Sequence, residues 1–308
     1  MKTYALKFYK QLIASQASLS GILRLPAIAL IFTMLFSSQV EAQDLDVPYV
    51  STPQSVVDEM LEVADVGPGD YVIDLGCGDG RIVISAAQRG AYGHGVDLDP
   101  ERISEARSNA RRSNVSGKVM FLQEDIFDTD FTKANVITMY LLSSVNLKLR
   151  SSLLDNLEPG TRIVSHDFDM GEWKPDKHLE IDNADFNLGG WEVDNPIAVD
   201  NHDIYYWIIP ARVDGQWEWK INGKEFTMTV RQKFQKIFPE ISTGNVQLNI
   251  EKTLLKGERI SITATNPSTG NEYAYNGRVD GDGGKIIGTV QIRSNNYHSI
   301  ENWSASLR

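Results

Sequence analysis

From residue 52 onward the apolar positions of the chain first fall at helical spacing. Val56, Val57, Met60, Leu61 and Ala64 share one face, and Thr52-Pro53 ahead of them has the order of an N-cap followed by proline at the first helical position. Gly67-Pro68-Gly69 ends that helix. Tyr71-Val-Ile-Asp-Leu75 is then a continuous apolar run of strand length, the form of a parallel strand covered on both faces. Residues 81–89 read as a helix closed by Gly90, residues 93–97 as a second strand, and Asp99-Pro100 opens a helix with Ile103, Ala106 and Ala110 inward. Further strands are predicted at residues 118–123, 134–142 and 161–165, with a helix over 145–157 between the last two. Residues 179–181 and 204–209 supply final strands, so the pattern predicts a doubly wound, seven-stranded α/β sheet.

Helical periodicity then disappears. Residues 217–220, 225–230, 246–250, 259–264, 272–275 and 286–292 are short alternating segments, and Asn222-Gly223 and Asp280-Gly-Asp-Gly-Gly284 are turn signals. The chain is therefore read as an α/β domain over residues 43–212 followed by a small all-β domain over 213–308.

The first 42 residues carry a different pattern. Lys2, Lys7, Lys10 and Arg24 precede the apolar run Ala27-Ile-Ala-Leu-Ile-Phe-Thr-Met-Leu-Phe36, and Val40-Glu41-Ala42 follows. That is the order of a secretory signal peptide cut after Ala42, and the run is about half of the roughly 20 residues that span a bilayer. The expectation is export to the periplasm or cell envelope without a stable membrane span; the alternative is an uncleaved anchor. The 308 residues carry a formal charge of −11. Residues 1–42 hold four of the 30 basic and one of the 41 acidic residues, so their removal leaves −14. Such a surface repels nucleic acid phosphates and accommodates a cationic partner. Cys77 is the single cysteine, and His94, His166, His178, His202 and His298 show no ligand spacing, so neither a disulfide nor a metal site is expected.

The chemistry concentrates at Asp74-Leu-Gly-Cys-Gly-Asp-Gly80, between a strand and a helix, where a glycine-rich turn lets a nucleotide cofactor approach the backbone. Gly76, Gly78 and Gly80 give G-x-G-x-G with Arg81 in the place of a final glycine, which disfavours a dinucleotide. The stretch resembles the first motif of class I S-adenosylmethionine-dependent methyltransferases residue for residue. That resemblance implies a Rossmann-like sheet, S-adenosylmethionine as cofactor, and an orienting role for Asp74. By the same resemblance Asp97 meets the ribose and Leu98 belongs to the cofactor site; Asp125 bonds the adenine amine, and Ile126 and Phe127 border the ring. The competing readings are a turn-starting Asp97 and a solvated acidic loop at 124–130.

A narrower resemblance lies in Val47-Pro-Tyr-Val-Ser-Thr-Pro53, Asp74-Leu-Gly-Cys-Gly-Asp-Gly-Arg-Ile-Val83 and Thr138-Met-Tyr-Leu-Leu142. These are similar to bacterial relatives of the mitochondrial lysine methyltransferases of ATP synthase subunit c and the adenine nucleotide translocase, over residues 47–173; Ser51 departs from the usual proline. A protein lysine is the acceptor this implies. A small-molecule or lipid acceptor, or an exported binding module without turnover, are the alternatives. Methyl transfer asks chiefly for a desolvated, aligned nucleophile and removal of a proton. Tyr140, Asp167 and Tyr49 are the candidate catalytic residues, with Asn146 close by. The alternatives are buried aromatics for Tyr49 and Tyr140, and a helix cap with a satisfied imidazole for Asp167 and His166. The aromatic residues of the β domain are expected mainly in its core, with a glycan- or lipid-binding groove as the alternative.

Overall fold

A computed structural model describes residues 50–182, 201–294 and 297–308. The segment read as an export signal and Tyr49 lie outside the described residues. Helix α1 (Gln54–Val63) buries Val56, Val57, Met60 and Leu61. Its N-cap is Pro53 rather than Thr52, and no side chain caps it. The Thr52 hydroxyl instead points across the fold to His166, 3.2 Å away.

The sheet follows as β1 (Tyr71–Leu75), β2 (Tyr92–Asp97), β3 (Val119–Gln123), β4 (Val136–Met139), β5 (Arg162–His166), β6 (Lys177–Asp182) and β7 (Asn201–Ile208), with helices α2 (Arg81–Gln88), α3 (Pro100–Arg112) and α4 (Ser143–Asn156) between them. Its order is β3-β2-β1-β4-β5-β7-β6. The first five strands run parallel, whereas β7 is antiparallel to β5 and β6. Side chains alternate across the sheet. Ile73, Leu75, Ile137 and Ile163 join the core that includes Leu149 and Leu153 of α4, while Val72, Val136 and Val164 join Val57 and Met60 of α1. Both faces are covered, which is why the strands read as unbroken apolar runs. Helix α3 starts as its sequence predicts: Asp99 caps it by accepting from Glu101 N, Pro100 follows, and Arg111 and Arg112 stand in the last turn, where they complement the dipole. The strand order reverses between β1 and β4, and a ligand crevice belongs outside the carboxyl ends of that pair.

The second sheet is wholly antiparallel, from β8 (Gly215–Ile221) through β9 (Lys224–Lys233), β10 (Lys236–Thr243), β11 (Val246–Gln247), β12 (Asn249–Lys256), β13 (Arg259–Thr265), β14 (Glu272–Val279) and β15 (Lys285–Ser294) to β16 (Tyr297–Leu307). Its order, β11-β10-β9-β8-β16-β15-β14-β13-β12, brings β12 back beside β10, where Thr253 Oγ1 donates to Ile237 O at 3.4 Å, so the sheet is nearly closed. Asn222 and Gly223 take positive φ (49° and 77°) in the β8–β9 turn, as a tight hairpin requires. Two strands escape the sequence pattern entirely, and the segment read at 246–250 divides at Leu248 into β11 and the start of a longer β12. Pro239 interrupts β10, tolerated on a strand whose flank toward β12 carries no ladder, and β16 contributes only Trp303 and Ala305 to the core. Trp217, Trp219, Phe226, Tyr273, Tyr275 and Trp303 fill the interior. These six are not available to a surface groove, whereas Phe238 and Tyr297 are exposed.

The two sheets meet through stacked rings. Trp173 lies 5.9 Å from Phe234 at 19°, and Trp207 Nε1 donates to Trp173 O. Lys233 pairs with Glu172, and Gln235 donates to Lys174 O. Among the described residues no helix is long and apolar enough to cross a membrane.

Candidate active site

The glycine turn sits at the carboxyl end of β1. Gly76, Gly78 and Gly80 all have positive φ (78°, 51° and 81°), so any side chain there strains the backbone. A Cβ on Gly80 would fall 2.7 Å from the Phe121 ring and 2.9 Å from Ala106 Cβ; this glycine serves the packing of α2 against α3 and β3. Gly76 and Gly78 line an open cleft of about 910 Å³, a volume that includes space continuous with solvent. Val50, Ser51, Thr52, Asp74, Asp97, Leu98, Ile126, Tyr140 and Leu141 complete much of its wall.

Asp97 ends β2 with its carboxylate fixed by two backbone donors, Gly78 N to Oδ2 at 2.9 Å and Asp99 N to Oδ1 at 3.0 Å. Each oxygen keeps a lone pair for a further donor, such as one hydroxyl of a diol. Asp74 is 2 % exposed on the cleft floor and accepts from Thr138 Oγ1 at 2.7 Å. Burial pushes its carboxyl up to about 7, and the Asp97 and Asp79 carboxylates add to the rise against the Thr138 hydrogen bond. A cation entering the cleft reverses that balance. Backbone glycines, a prepared diol acceptor, an apolar slot at Leu98 and Ile126, and a carboxylate awaiting a positive charge together suit a cationic nucleoside such as S-adenosylmethionine. Asp125 is not on the cleft lining; its Oδ1 accepts from Phe127 N within its own turn.

On the other side of the cleft, Tyr140 follows β4 and its hydroxyl donates to Asp167 Oδ2 at 3.1 Å. Burial, then the Asp167 charge, raises the phenol well above its ordinary range, so it stays protonated. Asp167 is no helix cap: it sits at φ 57° just after β5. Its N–H donates to Asp203 O at 2.7 Å, and Asp203 N donates back to its Oδ1 at 3.0 Å. Asn146 is fully buried and supports this corner, its Nδ2 donating to Ser165 Oγ and to the carbonyl of Phe168.

Several participants lie beyond the reach of sequence reading. Arg81 and Asp79 form a buried pair at 2.6 Å, and Arg81 Nη1 holds the Thr52 carbonyl at 2.7 Å. The fold also gathers His166, Asp167 and His202, with one potential ligand atom from each within 4.8 Å of the others, although chain spacing shows no such group. His166 Nε2 and His202 Nδ1 are 2.8 Å apart. His202 comes from β7, 36 residues away, and no local pattern marks it.

Strand order, switch point and cleft together define a class I S-adenosylmethionine-dependent methyltransferase. The family model of the ANTKMT methyltransferase domain matches residues 74–177. A protein-lysine N-methyltransferase of Saccharolobus islandicus is 43 % identical over 140 residues, which is 45 % of this chain and 87 % of that protein. The adenine nucleotide translocase lysine N-methyltransferase of Mus musculus is 34 % identical over 132 residues, 42 % of this chain and 57 % of the mouse protein, so the chain spans little more than half of that relative. Among solved structures, an RNA methyltransferase from Salinibacter ruber in complex with S-adenosyl-L-homocysteine is 46 % identical, with 53 % of this chain and 96 % of that one covered at a TM-score of 0.46. The chain belongs to the S-adenosylmethionine-dependent protein-lysine N-methyltransferase family of the ANTKMT domain.

Proposed function

We propose that this protein transfers the methyl group of S-adenosylmethionine to the side-chain amine of a lysine in a protein acceptor. The observation that carries the reading is the phenol–carboxylate pair, Tyr140 Oη to Asp167 Oδ2, set against the cofactor cleft. The cofactor, when bound, supplies a methyl group already activated on a sulfonium. We assign Asp97 to its ribose hydroxyls, Leu98 and Ile126 to the adenine faces, Gly76 and Gly78 to close backbone approach, and Asp74 to the charge of the methionine portion.

The acceptor must arrive as a neutral amine aligned with the methyl group. Tyr140 Oη, whose own proton is committed to Asp167, accepts a hydrogen bond from the amine. Transfer would form the C–N bond as the methyl–sulfur bond breaks and the sulfur leaves as a neutral thioether; the excess proton on nitrogen then passes to Tyr140 Oη while the phenol proton passes to Asp167, which leaves Tyr140 neutral and Asp167 protonated. The carboxylates of Asp203, Asp169, Asp167 and Glu180 all bear on the Tyr205 hydroxyl and add to the rise that its burial produces. This acidic neighbourhood of Tyr205 favours a cationic side chain over a phosphate, and the names of the relatives from Saccharolobus and mouse point the same way.

Export behind residues 1–42 is part of the proposal, supported by the basic-then-apolar order of that segment. The test incubates the protein with methyl-labelled cofactor and fractionated cell envelope and cytosol, then separates protein, lipid and RNA. Label recovered as methyl-lysine in envelope protein is expected. Label confined to RNA or lipid would overturn the acceptor, and a strictly cytosolic protein would overturn the export. Tyr140→Phe is expected to lower kcat about 100-fold with cofactor affinity unchanged.

A further inference from the structure

His166 has no part in the roles above, yet it touches both halves of the site. Its side chain is wholly buried. One nitrogen, Nδ1, lies 3.2 Å from Thr52 Oγ1. The other, Nε2, lies 2.8 Å from His202 Nδ1, and the ring packs on Tyr140 with centroids 3.9 Å apart at 37°. Thr52 belongs with Val50 and Ser51 to the short strap that walls the cofactor cleft, and Tyr140 is the acceptor-side wall.

We infer that His166 is a positioning residue that couples the cofactor strap to the acceptor tyrosine, an inference that rests on the methyltransferase reading of Tyr140. Two imidazoles facing each other put one N–H on the line between Nε2 and Nδ1, and Asp167 Oδ1, 3.3 Å from His166 Nε2 and 3.6 Å from His202 Nδ1, lies beside that line as a further acceptor. Nδ1 of His166 is held by the Thr52 hydroxyl. Both nitrogens of His166 are committed while the ring is neutral, and burial together with His202 pushes its pKa down to about 3. The ring thus holds two groups in place and takes no proton from the amine.

The test measures cofactor binding by calorimetry, which needs no acceptor, for His166→Ala, Thr52→Val and the double variant. Each single change should weaken binding about 3- to 10-fold, the scale of one hydrogen bond, and the double variant should bind no worse than the poorer single one. His166→Asn, whose amide N–H can reach Thr52, should restore cofactor affinity but not turnover, since it lacks the ring under Tyr140, and should leave the shape of the pH–kcat profile unaltered. Additive losses, wild-type affinity in a folded His166→Ala protein, a vanished limb of the pH profile, or stoichiometric zinc uptake abolished by His202→Ala would each overturn the inference. Should His166→Ala fail to fold, Thr52→Val and His166→Asn carry the same comparison. Failure of the lysine reading would appear in the labelled fractions and leave the calorimetry untouched.

Discussion

The two sheets of this chain treat their interiors in opposite ways. The mainly parallel sheet is packed on both faces and open at its carboxyl edge, where Asp74, Asp97, Tyr140 and Asp167 converge around a cleft. The antiparallel sheet bends until β10 and β12 lie side by side, and six large aromatic residues fill what it encloses. Near-closure removes strand edges, and the aromatic rings occupy the space that it encloses. A topological switch leaves backbone ends diverging, and polar groups collect where the layers separate. Chemistry settles where packing is interrupted, and the β domain meets its neighbour through Phe234, Lys233 and Gln235.

The sharpest way to break this contrast is to hollow out the closed sheet. Trp303 is 1 % exposed in its core, so Trp303→Ala should cost about 3–5 kcal/mol in denaturant unfolding while cofactor affinity at low temperature stays unchanged. A matching loss of affinity would mean that the β domain shapes the cleft. Next in size is the open edge: Asp97→Ala removes a charged acceptor held by Gly78 and Asp99, and calorimetry should register a loss of about 1–3 kcal/mol in cofactor binding. Native-like affinity would remove Asp97 from the ribose. The finest test is pH. With Asp74 raised to about 7 in the empty protein, the folded state holds a proton that the unfolded chain releases near pH 4. Stability of the empty protein should therefore fall as pH rises from about 4 to about 7, and affinity for the cationic cofactor should climb over the upper part of that range. Asp74→Asn should flatten both curves in thermal melts and titrations; an unchanged slope would place the titrating group elsewhere.

Much of this was legible along the chain because it is local. The strand–turn–helix around Asp74 and the start of α3 follow from apolar runs, glycines and an Asp-Pro cap that act within a few residues. Periodicity failed where neighbours decide the outcome. Pro239 argues against a strand until β10 is seen to face β12 without a ladder, and β16 is too polar to declare itself when only Trp303 and Ala305 turn inward. Thr52 has the residue type and position of a helix cap, and the attraction that wins it is His166, 114 residues away.

Sequence alone determined the layered α/β plan, the glycine turn and the acid at the end of the neighbouring strand, since spacing and side-chain type suffice for each. Tertiary structure alone decided which carboxylate Tyr140 meets, that His166 and His202 come together, and that six aromatic rings of the β domain are walled in. The physical reason is that a hydrogen bond between distant residues depends on the register of β5 against β7 and β4, and no window of adjacent residues carries that register.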